Sequence, residues 1–308
     1  MTVSDTALAE RFTEHRPHLL GVAYRLTSAV SDAEDATQEA WLRLSTLDIS
    51  ARAEIRDLRG WLTTVVSRIC LDRLRSATVR RESYVGPWLP EPLVTPLGAP
   101  VSEDPLDAVV RDDGVRMAAL VVLDKLTPEQ RVAFVLHDAF DVPFAEIAAT
   151  LGCSDAAARQ HASRGRRAAA SAAPPPRLAM ADQGALLERF LGALASGDLA
   201  QVVALLHPDA VMIGDGGGKA RTARQYIAGT DKIGRFLLGL LQMYGADKMT
   251  DGTLVLVNGD LGLAFPDIPA DTTGRELNRR VTTFTIRDSK IAMIYDLVNP
   301  DKLTHVNL

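Results

Sequence analysis

LTPEQRVAFVLHDAFDVPFAEIAATLGCSDAAARQHASRGRR, residues 126–167, holds the signals of three short helices and two turns. Thr127 stands as an N-cap, Pro128 in the first turn and Gln130 at the capping-box position, which together announce a helix through 132–140. Past Pro143, the residues Phe144, Ile147, Ala148 and Leu151 recur at i, i+3, i+4 and i+7, the buried stripe of a second helix. Gly152 permits a tight turn and Ser154 caps a third helix. Along that helix Ala158, Ala162 and Gly165 make a small face that can lie close on its neighbour. Arg159, Gln160, Ser163, Arg166 and Arg167 project elsewhere, with Arg164 on the flank. Arginine can bond guanine edges in a bidentate way, glutamine can do so with adenine, and all of these side chains can bond phosphate. The spacing predicts a helix-turn-helix whose last helix suits the major groove. The same geometry also serves as plain packing with a solvated arginine face; the coincidence of cap, glycine, small inner face and polar outer face favours DNA.

Working outward, the charge is unevenly spread although the net value is only −5. Between Ile49 and Arg81 lie eight arginines, at 52, 56, 59, 68, 73, 75, 80 and 81, against three acids. Ser31–Glu39 carries four acids and no base. Such blocks predict basic surfaces for DNA and an acidic one for a protein partner, or else solvated helix faces. With 47% hydrophobic and 24% charged residues, 308 residues suffice for two or three domains. The first twenty residues contain acids and no apolar core segment, and no run of 18 apolar residues occurs, so neither a signal peptide nor a membrane span is expected. Cys70 and Cys153 form no CxxC or Cys/His cluster, which predicts buried small hydrophobes in a reducing cytoplasm and no metal.

Residues 6–81 read as helical. Ser31 and Glu34 form a capping-box pattern, Ala33, Ala36, Ala40 and Leu44 make one stripe, and Asp32, Asp35 and Glu39 another. A polar loop at 45–57 precedes a further amphipathic helix carrying Leu58, Leu62, Val65, Val66, Ile69 and Leu74. Six of the chain's 16 prolines fall within 82–105, which reads as a linker. The second helical block, 106–170, ends in a small-residue and proline tract, a second linker at 171–180. From 181 to 308 helices at 182–196 and 229–243 alternate with short strand patterns at 209–213, 252–257, 261–265, 281–286 and 290–298, an α+β domain.

The two helical blocks resemble the extracytoplasmic-function sigma factors of bacterial RNA polymerase. The resemblance is carried by DAEDATQEAWLRL (32–44), RGWLTTVVSRICLDRLRS (59–76) and 126–167, which cover about half of the chain in the right order. It implies a first domain that engages the clamp of the polymerase largest subunit and opens the −10 element. The second domain would bind the flap and read the −35 element. By position, Asp32, Asp35, Gln38 and Glu39 would face the clamp, and Arg56, Arg59, Arg68, Arg73 and Arg75 the −10 DNA. Ser154, Arg159, Gln160, Ser163, Arg164, Arg166 and Arg167 would face the −35 DNA. Arg80 and Arg81 would be phosphate contacts or solvated. The family often has Asn where Arg68 stands, Leu where His161 stands and Ala where Gly165 stands. Glycine inside a helix costs about 1 kcal/mol relative to alanine, so a weakly packed recognition helix, ordered in part by DNA, is expected.

The C-terminal block resembles SnoaL-like, polyketide-cyclase-like α+β domains of cone-shaped barrel form. GPWLPEPL (86–93, with Trp88, Leu89 and Pro90), Asp215-Gly216-Gly217-Gly218-Lys219 and Asn299-Pro300-Asp301-Lys302 resemble segments of the sigma-J-type subgroup. That subgroup's extension implies regulation in cis through those residues. A nucleotide loop is not expected at 214–220, because Gly214 stands one residue too close to Gly218-Lys219 and Ala220 replaces the required hydroxyl. A tight glycine loop presenting Asp215 and Lys219 to another domain fits better. His207, Asp215, Tyr244 and Asp296 could line a pocket for acid–base chemistry, although each also has a plain structural role. The reading is therefore a multidomain sigma factor, two all-α domains plus an α+β domain, that is not an enzyme and needs no cofactor. Its expected partners are core polymerase and promoter DNA, without a membrane; a pocket ligand is left open. The alternative is a DNA-binding regulator whose C-terminal pocket senses a small molecule or retains acid–base activity.

Overall fold

The computed structural model describes residues 3–81, 83–98, 105–110, 115–171, 175–245, 252–270 and 276–306. The chain divides into two compact units, Met1–Glu82 with Val101–Ala173, and Ser83–Pro100 with Pro174–Leu308. Residues 83–98 of the proline-rich stretch read as a linker are thus built into the second unit.

The first unit is helical: α1 (Val3–Thr27), α2 (Val30–Thr46), α3 (Ile49–Glu54), α4 (Leu58–Arg81), α5 (Pro105–Val110), α6 (Met117–Leu123), α7 (Pro128–Phe140), α8 (Phe144–Leu151) and α9 (Asp155–Ser171). The predicted alanine stripe of α2 is buried, and the helix packs on α1 and α4, whose Leu19, Leu20, Ala23, Leu62 and Val66 are buried as well. Ser31 is not the N-cap of α2. The helix begins two residues earlier, with Ala29 as N-cap, because Ser28 takes a left-handed turn at φ 57° that ends α1 abruptly. Within the expected loop at 45–57, Asp48 caps α3 by accepting from the Ala51 amide at 2.8 Å. Cys70 is buried, which pushes its thiol up to about 12, whereas Cys153 is only half-buried.

Arg131 of α7 joins the two helical blocks. Its side chain is 1% exposed; Nε donates to the Arg25 carbonyl at 3.0 Å, one terminal nitrogen to Ser28 Oγ at 2.5 Å and the other to Asp124. The Thr127/Gln130 capping box is present, Gly152 turns at φ 68°, and Ser154 Oγ accepts from the Ala157 amide at 3.2 Å. Gly165 corrects the expectation of a loosely packed helix. A Cβ there would stand 2.8 Å from Phe134 Cβ and 3.0 Å from the Gln130 carbonyl, so the glycine lets α9 sit directly on α7.

The second unit contains α10 (Met180–Ala195), α11 (Leu199–Leu205), α12 (Thr230–Tyr244) and one seven-stranded sheet. Its strands are β1 (Val94–Pro96), β2 (Leu206–Asp215), β3 (Ile227–Ala228), β4 (Thr253–Val257), β5 (Asp260–Phe265), β6 (Arg280–Arg287) and β7 (Lys290–Leu297), in the order β1-β4-β5-β6-β7-β2-β3. Pairing is antiparallel except for β2 with β7, which sets Gly214 beside Asp296 and Asp215 beside Leu297. Helix residues Leu186, Leu187, Phe190, Val202 and Ile233 share a core with Met212, Leu261, Ile291 and Ile294 of the sheet. The predicted turn at 287–290 is made by Asp288 and Ser289, both at positive φ.

Gly165→Ala gains helix propensity but overpacks the α7–α9 contact; the net loss expected is about 1–2 kcal/mol. Thermal unfolding should show the first unit's midpoint fall by roughly 2–8 °C; an unchanged midpoint would mean the helices can part freely. A second prediction concerns His18, whose Nδ1 accepts from Arg59 at 3.1 Å and whose Nε2 donates to Thr63 Oγ at 2.9 Å. Burial first, then the Arg59 charge, lower its pKa from 6.5 to about 4. The unfolded chain therefore binds the extra proton between those values, so His18 stabilises fully above pH 6.5 and progressively less towards pH 4. His18→Gln should flatten the fall in midpoint across that window, and an unaltered pH profile would count against it.

Candidate nucleic-acid interface and linker clasp

On α9 the outward side chains are laid out by the buried Ala158, Ala162 and Gly165. Arg159, Gln160, Ser163, Arg164, Arg166 and Arg167 are all exposed, as is the capping Ser154. The Arg159 guanidinium lies 4.6 Å from the centre of the Phe144 ring. Stacking of this kind orients a guanidinium while leaving its in-plane N–H groups available. Arg166 instead makes two 2.6 Å bonds to the Asp138 carboxylate of α7, so its fork is occupied. Arg167 Nε reaches back to the Ser163 carbonyl at 3.4 Å.

In the first helical block the expected acidic and basic groups partly satisfy each other. Arg73 bonds Asp32 at 2.7 Å and lies 3.6 Å from Asp35, and Glu39 pairs with Arg43 one turn on. Asp35 and Gln38 stay exposed. Arg68 donates to the Ala149 carbonyl of α8 at 3.0 Å, and Arg75 bonds Glu129 of α7 at 3.0 Å. Arg59 holds His18, and Arg56 is exposed on the turn before α4. Nothing in the sequence pattern announced the Arg68 and Arg75 contacts, which join residues far apart in the chain. The side chains of Arg80 and Arg81 lie outside the described residues.

The three C-terminal signature segments converge within the second unit. Asp215, at the end of β2, is fully buried. Its Oδ1 accepts from Tyr84 Oη at 2.5 Å and the Gly217 amide at 3.2 Å. Its Oδ2 accepts from the Leu89 amide at 2.8 Å and Lys302 Nζ at 2.7 Å. Lys302 also donates to the Leu89 carbonyl at 2.5 Å and lies 3.8 Å from the Trp88 ring centre. Asn299 Nδ2 donates to Tyr84 Oη at 2.8 Å, and its Oδ1 caps the Pro300–Lys302 turn by accepting from the Asp301 amide. Burial, followed by the Asp215 carboxylate, pushes the Tyr84 phenol above its ordinary range, so it remains a donor. Gly217, at φ 57°, passes so near Asn299 that a Cβ would fall 2.4 Å from its amide nitrogen. Lys219 pairs with Asp301 at 2.6 Å on the surface. Further along, Leu93 and Asn258 exchange two bonds and His305 Nε2 donates to the Pro92 carbonyl at 2.9 Å. The segment 84–93 is therefore clasped to the α+β unit; Tyr84 was missed in the sequence, having no motif of its own.

The four pocket candidates do not meet. Asp296 lines a cavity, whereas Asp215 belongs to the clasp and Tyr244 to a packed cluster with Leu263, Phe265 and Leu277. His207 stands 3.7 Å from Asp288 beside the 287–290 turn. Among the described residues no group of His, Cys, Asp and Glu could hold a metal, and no helix is long and apolar enough to cross a membrane.

Two helical blocks of this kind, one ending in a helix-turn-helix, define a promoter-reading initiation protein with an α+β appendage. Family models agree: Sigma-70 region 2 matches residues 11–80, Sigma-70 region 4 matches 116–168, and a SnoaL-like domain matches 187–294. The chain belongs to the extracytoplasmic-function RNA polymerase sigma factors, alternative sigma factors for transcription initiation. It is 51% identical to the ECF RNA polymerase sigma factor SigJ of Mycobacterium tuberculosis, over 95% of this chain and 92% of that protein. It is 35% identical to the probable sigma factor SigI of the same organism, over 73% of each. The crystal structure of M. tuberculosis SigJ superposes with a TM-score of 0.81, at 48% identity, over 96% of this chain and 98% of that one.

Lys302→Met would leave the Asp215 carboxylate buried without its cation, a change that typically costs about 3–5 kcal/mol. Hydrogen exchange at the Leu89 amide should then rise by at least about tenfold; protection equal to that of the unaltered chain would show that the clasp does not hold the segment.

Proposed function

We propose that residues 6–81 act as the −10-reading and polymerase-binding region, with Asp35 and Gln38 towards the clamp and Arg56, Arg59, Arg68, Arg73 and Arg75 towards DNA. Residues 106–170 form the −35 reader, and 181–308, together with the clasped part of 82–105, form a domain that modulates the sigma factor in cis. Within the reader, Arg159 and Gln160 are the base-contacting pair, because the first is held on Phe144 and the second is exposed beside it. Arg164 and Arg167 serve phosphate, Ser154 and Ser163 are exposed for further polar contacts, and Arg166 positions α9 through Asp138. The observation that carries cis modulation is the clasp. The chain joining the two helical blocks is gripped at Leu89 by Asp215 and Lys302, so release or retention of that grip changes the tether between them. The Arg68 and Arg75 contacts to α8 and α7 support a free form in which both arginines must let go before meeting DNA.

The full chain with core polymerase should give run-off transcript from a bipartite promoter. Asp215→Asn and Lys302→Met should each change that output at least about threefold while polymerase binding persists, and unchanged output in both would overturn cis modulation. Gln160→Ala should relax preference at one −35 position, costing roughly 1–3 kcal/mol there, whereas Arg167→Ala should weaken all sequences evenly. An even loss from both would reduce α9 to a phosphate grip.

A further inference from the structure

The second unit encloses a cavity of about 410 Å³ between α10, α12 and the inner face of the sheet, within the range of sites that hold small organic ligands. Its wall is almost wholly carbon, from residues such as Phe190, Leu194, Leu240, Leu263, Phe265 and Phe284. One part is polar, where Arg280, Thr282 and Asp296 reach the lining.

The Arg280 side chain is 5% exposed and that of Asp296 3%, yet the two are not hydrogen-bonded: the nearest approach is 3.9 Å. Asp296 is occupied otherwise. Its Oδ2 accepts from Thr222 Oγ at 2.6 Å and its Oδ1 from Thr282 Oγ at 3.2 Å. The Arg280 side chain has no hydrogen-bond acceptor among the described residues; its Nε is sealed off, and the rest of the group reaches the cavity lining. A buried donor left unpaired costs about 1–3 kcal/mol, so folded proteins supply one with an acceptor. The charges narrow what that acceptor is. Arg280 and Asp296 cancel, and a carboxylate beside Arg280 would bring a second anion towards Asp296 in a medium that screens poorly. Nor is a hydroxyl donor required, since both Asp296 oxygens already accept.

We infer that this cavity binds a neutral, predominantly apolar molecule carrying a carbonyl group, seated with its oxygen on the Arg280 guanidinium. Asp296 lies one residue before Leu297, which pairs with Asp215, and three before Asn299, so the polar end of the cavity adjoins the linker clasp along β7. The ligand class rests on the cavity alone; its role as effector rests on the cis modulation proposed above.

The test uses the full chain without polymerase or DNA, so failure of the regulatory reading leaves it intact, and its own failure leaves the clasp mutants interpretable. The probe is prodan, a neutral naphthyl ketone whose emission reports the polarity around its carbonyl. Saturable, blue-shifted binding is expected. A long-chain methyl ketone should displace the probe at about tenfold lower concentration than the alkane or the carboxylate of equal length, the worth of one hydrogen bond to a charged donor. Arg280→Met should abolish the preference of ketone over alkane. Should that variant fail to fold, Leu241→Trp, which fills the half-buried side of the cavity from α12, should weaken the probe at least about tenfold with the helix signal intact. No saturable binding, equal displacement by alkane and ketone, or tighter displacement by the carboxylate would each overturn the inference.

Discussion

A single carboxylate, that of Asp215, sets the architecture of the second unit. It lies fully buried at the end of a strand and accepts from the Tyr84 hydroxyl, two main-chain amides and the Lys302 ammonium. Charges in such surroundings rarely add much net stability, because desolvation consumes most of their attraction. Their force lies in selection, since an unpaired partner would be heavily penalised. Here the selected partner is the stretch around Leu89, which leaves one helical block of a sigma factor and has yet to enter the other. A connection that would otherwise be a proline-rich tether becomes the first strand of a sheet, with Val94–Pro96 paired to β4.

In the helical unit the corresponding role falls to Arg131. One guanidinium bonds a carbonyl at the end of α1, the hydroxyl of the left-handed Ser28 and the carboxylate of Asp124, so the turn between α1 and α2 and the start of the helix-turn-helix share a buried donor set. Around it the outer arginines spread over the same interface. Arg68 and Arg75 reach α8 and α7, whereas Arg73 stays within the first block and neutralises Asp32. Fixed, planar donors suit such contacts, and because most are exposed they hold weakly. An arrangement of one buried guanidinium and several weak outer contacts is well matched to the release of Arg68 and Arg75 proposed above.

Much of this was legible in the amino-acid order. The Thr127 box, Gly152 and Ser154 announced the helix-turn-helix because caps and turns are local: their hydrogen bonds close within three or four residues. The strands at 209–213, 261–265, 281–286 and 290–298 were visible through alternation or apolar runs of strand length. Local signals also misled. Ser31 and Glu34 spell a capping box, yet the turn at Ser28 starts the helix earlier, with Ala29 as N-cap. Gly165 looked like a weak point when weighed by propensity alone, and proved to be where α9 touches α7.

By itself, then, the sequence determined the two helical blocks, the helix-turn-helix, the α+β extension and the family to which the chain belongs. Each depends on periodicity, capping or motif, all short-range. Only the tertiary structure decided that residues 83–98 belong with the extension, that Arg166 is tied to Asp138 while Arg159 rests on Phe144, and that an Arg280 without a hydrogen-bond acceptor lines a carbon-walled cavity. Those outcomes rest on partners tens to hundreds of residues apart. Whether a charge is paired, stacked or stranded depends on what the fold brings to it.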